Sequence, residues 1–500
     1  MTDASPTMVR PVKATTAWAL SAVGWWCFVA AFPSASLWPL VFLAAGLLSF
    51  LAVAAARART VLVAGGLGAL GAWAWIGRWV VDVTGAGAFP MAFVLAGLSI
   101  LGLFAVRRLA RDRRIGRLPL AVLLALAWPA GEAMRGLVAF DGYPWYYLAH
   151  PIVDVPLLAQ SADLFGALGV SALVAMAAGA ALDVVRWRRG DDRGRAALIG
   201  AAAAGLCWGA NLAYGAWRLA ESGPLSPGPT ILAIQTNLPM DNKIGWRLES
   251  QVQDFAAFRR ATLDALDDAL AAGVRPDLIG WPETMLPGFG LEPETVRVLL
   301  DGDFAPGDLF SRAIVDLAAL TQTPLLVGSP VYIGLRPEAG RWRWDRHFNS
   351  AYLIGADGRR QRYDKLFLTP FGERMPYIGA WPWLQEQLLS IGARGMTFDL
   401  DAGDGPRLLE LTWQRTDGAT VRTAIASPIC FEDTVAPLCR QLVYQNGAKV
   451  ADLMVNLSND GWFGGVDAGR WAHLQAARYR CIENRVPMVR IVNTGVTASV

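Results

Sequence analysis

The 500-residue sequence predicts a multi-pass α-helical membrane domain over residues 1–220, followed by an α/β domain over residues 221–500. Three observations carry that division. The chain is 54% hydrophobic and only 17% charged, where ordinary soluble chains carry about 25% charged residues. Only 10 of the 42 Asp and Glu residues fall in residues 1–220, leaving 32 for the rest. Long apolar runs crowd the first part, whereas short apolar runs alternate with helical patterns in the second. A purely cytosolic enzyme is therefore not expected.

Seven apolar stretches can be read, at 15–32, 36–56, 61–81, 88–106, 118–138, 160–185 and 196–216. Each approaches the ~20 residues a helix needs to cross the hydrocarbon core. The first lacks a small-residue cleavage site and another follows at once, so it reads as a retained span. Arg10 and Lys13 precede span one, and Arg57 and Arg59 follow span two. Arg107, Arg108, Arg111, Arg113, Arg114 and Arg117 follow span four, and Arg186, Arg188, Arg189, Arg193 and Arg195 follow span six. The alternate loops near 33–36, 82–87 and 139–156 hold no Lys or Arg. By the positive-inside rule the N-terminus is cytoplasmic, and an odd number of spans delivers everything after about residue 220 to the other side. The net charge of +3 argues neither for nor against nucleic acid. The Arg runs are read as topology signals, and no nucleic-acid partner is expected.

Glu132 and Arg135 lie three apart on span five, on one helical face. A charge at that depth costs ~2.5–3.5 kcal/mol unless it is paired or faces a polar cavity. Two readings stay open, a structural ion pair or the lining of a substrate route. The following Gly142-Tyr143-Pro144-Trp145-Tyr146-Tyr147 is broken and aromatic, as expected at the outer membrane interface.

Residues 217–229 are rich in helix-stopping Gly and Pro and read as a linker. Beyond it come an apolar run at Ile231–Gln235, a helix near 248–272, a run at Leu278–Trp281, a helix near 308–320, and runs at Pro324–Gly328, Ser350–Ile354 and Thr423–Ile429. A helix near 434–445 and a run at Met454–Asn456 follow. Such alternation indicates an α/β domain, and about 280 residues suffice to bury a core of its own. No internal repeat is present.

Five cysteines, Cys27, Cys207, Cys430, Cys439 and Cys481, form no CxxC pair, and three histidines, His150, His347 and His473, are scattered. A disulfide framework, a zinc site or any other metal site is not expected. Asp, Glu, Lys or Cys remains for chemistry. Leu278-Ile279-Gly280-Trp281-Pro282-Glu283 places a carboxylate where an apolar strand stops, and Ala424–Ile429 runs into Cys430-Phe431-Glu432-Asp433. Between them, Tyr363-Asp364-Lys365 precedes Leu366–Phe371. Ligand sites of α/β sheets gather at carboxyl ends of strands, so the Glu and the Cys can meet. Only Lys13, Lys243, Lys365 and Lys449 of the 45 basic residues are lysines. A compact ammonium suits a developing oxyanion better than a planar guanidinium. Taken singly, each residue also has an ordinary reading: a buried thiol, a solvated carboxylate, a surface lysine.

The surrounding motifs resemble the nitrilase, or carbon-nitrogen hydrolase, superfamily and, with seven N-terminal spans, its apolipoprotein N-acyltransferase family. The stretches that carry the resemblance are Trp281-Pro282-Glu283-Thr284, Tyr363-Asp364-Lys365 with Pro370-Phe371-Gly372-Glu373, and Pro428-Ile429-Cys430-Phe431-Glu432. Asn456-Leu457-Ser458-Asn459-Asp460-Gly461-Trp462-Phe463-Gly464, His473, Gln475, Arg478, Glu483 and Asn493-Thr494-Gly495-Val496-Thr497 extend it. So do Glu132-Ala133-Met134-Arg135-Gly136 and Gly142-Tyr143-Pro144-Trp145 in the first half. The resemblance implies a nitrilase-like αββα sandwich, with Glu283 as general base, Lys365 as oxyanion-stabilising cation and Cys430 as nucleophile. It gives Glu373 and Glu432 the part of supporting carboxylates, and it implies no cofactor.

The implied activity moves an acyl chain from a phospholipid, through a cysteine thioester, to the α-amine of a diacylglyceryl-cysteine lipoprotein in the bacterial cytoplasmic (inner) membrane. The catalytic domain would face the periplasmic or extracytoplasmic side, in contact with membrane lipid. A thiol of pKa ~8.5 needs a base and a cation for this work. The greasy, Pro/Gly-broken segment after Pro376, with Trp381, Trp383 and Leu388, reads as a membrane-resting arm that binds substrate. Trp246 is similar to a substrate-contacting Trp of the family. Members continue past Gly495-Val496-Thr497 with more sheet and a last transmembrane helix, so the sequence is expected to be truncated or to lack that anchor. Two other readings are a membrane-tethered amidase with the same triad and an inactive membrane receptor or scaffold. The spans and the arm favour lipid over a small amide, and retention of all three triad residues weighs against an inactive scaffold.

Overall fold

The computed structural model describes residues 11–191, 193–221, 226–239, 246–381, 383, 387 and 400–500. The chain forms two compact units, one of residues 1–223 with 463–483, the other of 224–462 with 484–500. The segment Phe463–Glu483 packs with the first unit.

Among the described residues of the first unit, six helices are long and apolar enough to cross a membrane: Ala14–Ala31, Ala58–Ile76, Ala88–Arg111, Leu120–Asp141, Ala162–Arg188 and Gly194–Glu221. The second of the seven expected stretches forms a shorter apolar helix, Leu40–Ala54, of 15 residues. Small residues let the helices approach closely. A Cβ on Gly179 would lie 2.4 Å from the Leu120 carbonyl oxygen, so helix Ala162–Arg188 can sit against the start of helix Leu120–Asp141 only with glycine there. From that same helix, Asp183 Oδ2 accepts the Leu120 N–H at 2.5 Å, capping a donor that lacks an intrahelical partner.

Glu132 and Arg135 form no direct ion pair. Instead of bonding each other, they hold the loop that follows. Glu132 Oε1 accepts the Leu148 N–H at 2.6 Å, and Arg135 donates to the Trp145 and Tyr146 carbonyls. Trp145, Tyr146 and Tyr147 are consequently buried inside the unit. The helix Asp467–Asn484 supplies the other wall of this packing. Gln475 and Arg478 donate to Asp154, the Tyr479 hydroxyl donates to the Ala149 carbonyl at 2.7 Å, and Glu483 accepts the Ala167 N–H at 2.9 Å. The His473 ring lies 5.1 Å from that of Trp145. His473, Gln475, Arg478 and Glu483 are therefore docking residues within the first unit.

The second unit contains fourteen strands in chain order among its described residues. They are β1 (Ile231–Ala233), β2 (Leu278–Trp281), β3 (Leu325–Ile333), the hairpin β4 (Arg336–Glu338) and β5 (Arg341–Arg343), β6 (Arg346–Ile354) and β7 (Arg360–Asp364). Then come β8 (Leu409–Gln414), β9 (Thr420–Ala426), the hairpin β10 (Tyr444–Gln445) and β11 (Ala448–Lys449), β12 (Leu453–Ser458), β13 (Met488–Val492) and β14 (Ala498–Ser499). One five-stranded sheet has the order β1-β2-β3-β6-β7 and the other β14-β13-β12-β9-β8. Each holds three parallel strands (β1, β2 and β3; β9, β12 and β13), continued by antiparallel β6 and β7 on one side in the first sheet and flanked by antiparallel β14 and β8 in the second. The sheets face one another, and a Cβ on Gly280 of β2 would fall 2.1 Å from Ile491 Cδ1 of β13. Glycine there leaves room for the Ile491 side chain from the facing sheet.

The helices Leu248–Ala271 and Leu309–Thr321 cover the first sheet, with Phe255, Phe258 and Ile314 packed with Trp281 and Val327 in one core. Burying each such side chain contributes roughly 1.5–3 kcal/mol, and Trp281 keeps its ring N–H satisfied by Thr262 Oγ1 at 3.0 Å. Helix Ala436–Val443 follows the second sheet's β9 and presents Leu438, Cys439, Leu442 and Val443 to the interior.

Candidate active site

Three chain segments converge at the carboxyl ends of β2, β7 and β9. Glu283 lies two residues beyond β2. A Cβ at Gly328 of β3 would sit 2.6 Å from the Glu283 Cα, so glycine in the neighbouring strand makes room for the turn that carries it. Lys365 comes directly after β7, which ends at Asp364; the sequence had placed the apolar run after the lysine rather than a strand before it. The strand before Cys430 ends at Ala426, three residues sooner than expected, and Ile429 makes only an isolated bridge to Leu457. Cys430 then opens a tight 3-10 turn, Cys430–Thr434, with φ of 52°. That left-handed conformation is costly for a residue with a Cβ and marks positions where the surroundings over-determine the backbone.

The side chains of Glu283, Lys365 and Glu373 meet in the interior. Lys365 Nζ lies 2.7 Å from Glu373 Oε2 and 3.5 Å from Glu283 Oε1. Asn349 on β6, which no motif singled out, joins them: its Nδ2 donates to Glu283 Oε1 at 2.8 Å and to Glu373 Oε1 at 3.3 Å. Its carbonyl also accepts the Lys365 N–H at 2.9 Å. The second oxygen of Glu283 accepts the backbone N–H of Asn459 at 3.1 Å. Asn349 carried no distinctive signal in the sequence, since Arg346, His347 and Ser350 share its strand; its burial is what obliges the carboxamide to find partners.

Burial pushes the Lys365 ammonium down, but the carboxylates of Glu373 and Glu283 outweigh it and raise the group well above the usual lysine range. Lys365 is a permanent buried cation. Burial alone would raise Glu373, yet Lys365 and the Thr369 N–H hold it below the ordinary carboxylate value. Cys430 goes the other way. Burial and the Glu283 charge push its thiol well above the ordinary value, with Lys365 pulling against them. At rest the thiol keeps its proton, so its activation requires transfer to a base.

Glu432, two residues past Cys430, serves a separate purpose. Its oxygens accept from Leu366 N (2.7 Å), Phe367 N (2.8 Å), Ile429 N (2.7 Å) and the Tyr363 hydroxyl (3.0 Å). One carboxylate thereby fastens the Cys430 turn to the Lys365 segment. Burial raises it to about 7, against the pull of those donors and of Lys365.

The aromatic residues expected to bind substrate are Trp246, Trp381 and Trp383. Trp246 precedes helix Leu248–Ala271, half-buried, with its ring N–H given to Asp254 Oδ2 at 3.0 Å. Trp381 and Trp383 are 67% and 72% exposed. Leu388 and Lys243 lie outside the described residues. Among the described residues, no group of three or more His, Cys, Asp or Glu could hold a metal ion.

A carbon-nitrogen hydrolase family profile matches residues 244–500. The chain belongs to the carbon-nitrogen hydrolase family. Residues 26–180 match the apolipoprotein N-acyltransferase N-terminal domain. Relatives named apolipoprotein N-acyltransferase include one from Sinorhizobium medicae, 28% identical over 86% of this chain and 73% of its own. One from Geobacter metallireducens is 28% identical over 93% of this chain and 82% of its own. A solved carbon-nitrogen hydrolase from Helicobacter pylori G27 is 14% identical over 54% of this chain and 73% of its own, with a TM-score of 0.31. The two domain matches together, in this order on one chain, make this an acyltransferase of lipoprotein N-acylation with a membrane-spanning half.

Proposed function

We propose that Glu283, Lys365 and Cys430 are the catalytic triad of this acyltransferase and act through a thioester on Cys430. The observation that supports this most directly is the Cys430 thiol on a strained turn, in the field of the buried Glu283 carboxylate and of the buried Lys365 ammonium, whose Nζ lies 3.5 Å from Glu283 Oε1. Glu283 takes the Cys430 proton as sulfur attacks the ester carbonyl of a phospholipid, and the Lys365 ammonium offsets the charge of the tetrahedral oxyanion. Collapse breaks the ester C–O bond. The departing lysophospholipid alkoxide takes the proton from Glu283 and leaves the acyl group on sulfur. The neutral α-amine of a diacylglyceryl-cysteine lipoprotein then attacks the thioester and gives a proton to Glu283. The thiolate leaves and is reprotonated, which returns the resting site. Glu373 keeps Lys365 in place, and Glu432 joins its segment to the nucleophile turn.

The donor is a lipid on this reading. The exposed Tyr377, Trp381 and Trp383 support a membrane-resting arm, because exposed aromatic groups of this size suit a bilayer interface rather than water. The catalytic domain lies on the extracytoplasmic side of the bacterial cytoplasmic membrane. That parity counts Leu40–Ala54 as a seventh span, supported by Arg57 and Arg59 after it and the Arg-free loop before it. Reporter fusions at the N-terminus and after residue 221 should report opposite sides; the same side for both would reverse the assignment.

The decisive chemical test incubates purified protein with labelled phospholipid. A hydroxylamine-sensitive adduct should form on Cys430 and be absent from Cys430→Ala. An adduct that survives this substitution, or turnover of a soluble amide with no adduct from lipid, would overturn the mechanism.

A further inference from the structure

Behind the nucleophile turn lies a buried charge group that the triad does not use. Asp433, three residues after Cys430, and Asp460, beyond the end of β12, are both fully buried carboxylates. Between them stands Arg490 of β13, fully buried, with Nε 3.0 Å from Asp433 Oδ2 and NH2 3.6 Å from Asp460 Oδ2. Arg490 Nε also donates to Asn456 Oδ1 at 3.4 Å. The other end of that carboxamide, Asn456 Nδ2, donates to the Cys430 carbonyl at 3.2 Å and to the Pro428 carbonyl at 3.1 Å. A continuous path therefore runs from the guanidinium to the backbone of the nucleophile.

We propose that Arg490 is a positioning residue for Cys430: through Asn456 it fixes the strained turn, and through Asp433 and Asp460 it balances negative charge that would otherwise bear on the sulfur. The inference rests on Cys430 being the nucleophile. The charges that face the thiol are Glu283 after β2, Lys365 after β7, Glu373 in the following loop and Asp460 after β12. Three of these four are acidic and oppose thiolate formation. Arg490 sits on the one acidic member that is not already held by Lys365. Removing a partner from a buried ion pair leaves an uncompensated charge in low dielectric, where it acts strongly on its neighbours. Losing the guanidinium exposes the thiol to the full field of Asp460, and losing Asp460 does the reverse.

The experiment follows alkylation of Cys430 by iodoacetamide against pH in the full-length protein, read at the Cys430 peptide by mass spectrometry so that the other four cysteines do not interfere. Arg490→Met should displace the profile upward by about one pH unit, equivalent to about ten-fold slower labelling at fixed pH below the thiol pKa. Arg490→Lys should recover part of that shift. Asp460→Asn should displace the profile downward, and this variant keeps the test open where Arg490→Met fails to fold. Profiles of Arg490→Met or Asp460→Asn that superimpose on that of the parent, or shifts of the opposite sign, would overturn the inference. Because labelling needs no lipid, a shifted profile in a protein that forms no adduct from phospholipid would count against the acyl-transfer mechanism and not against Arg490.

Discussion

The two units bury charged pairs of the same chemistry and use them in opposite ways. In the first, Glu132 and Arg135 spend their hydrogen bonds on the main chain of the loop at Tyr143–Leu148. In the second, Glu283, Lys365 and Glu373 face each other beside a thiol, with Asn349 bridging the two carboxylates. A buried charge whose partners are backbone groups braces a fold. A buried charge whose partners are other charges, with a nucleophile in range, is poised for chemistry, because the arrival of an oxyanion changes its balance.

The comparison can be broken most sharply at the triad. Glu283→Gln should lower formation of the acyl adduct by about 10²–10⁴-fold, the range for loss of a general base, with the protein still folded in detergent. A variant that acylates at the parental rate would remove Glu283 from the mechanism. Lys365→Met should cost about 10²–10³-fold in the same assay, and also stability, since Glu283 and Glu373 would then be buried without their cation. A kinetic loss with no change in thermal unfolding would mean that the cluster is less buried than its geometry indicates.

The corresponding substitution in the first unit should act on stability instead. Glu132→Ala leaves the Leu148 N–H without its acceptor and should cost about 1–3 kcal/mol, while adduct formation per folded molecule stays within a factor of a few. A rate loss as large as that of Glu283→Gln would place Glu132 on a substrate route and erase the distinction. Glu432 sharpens the contrast from inside the catalytic unit. Its carboxyl rises from the ordinary 4.5 to about 7, so the native state holds this proton more tightly than the unfolded chain does. The stability it contributes is therefore complete below about pH 4.5 and is lost as pH rises through about 7. Glu432→Gln should abolish that part of the pH dependence in thermal unfolding; an unchanged slope between those values would assign it to another group. The smallest effect is expected from replacing Trp381 and Trp383 by Ser, which should impair turnover of long-chain phospholipids and leave unfolding unchanged.

Much of the site was legible because its residues sit at strand ends, where an apolar run gives way to a single polar residue. Glu283 after Leu278–Trp281 and Cys430 after Ala424–Ile429 stand out for that reason. Asn349 did not, since a lone carboxamide within a strand has no periodic or motif signature. The contribution of Asn459 was hidden more completely, because it acts through its main-chain N–H, which every residue but proline possesses. Helix Asp467–Asn484 shows the opposite limit. Its motif residues His473, Gln475, Arg478 and Glu483 pointed to importance, but their partners Trp145, Asp154 and Ala167 lie more than 300 positions earlier in the chain.

By itself the sequence determined that apolar membrane helices precede an α/β domain, and it pointed to the candidate chemical groups, because hydropathy, loop charge and strand ends are local properties. Only the tertiary structure decided that Glu132 and Arg135 brace a loop, that Asn349 bridges Glu283 and Glu373, and that Arg490 stands between Asp433 and Asp460. Those assignments depend on which buried polar group meets which, and a buried group must find its partner wherever in the chain that partner lies.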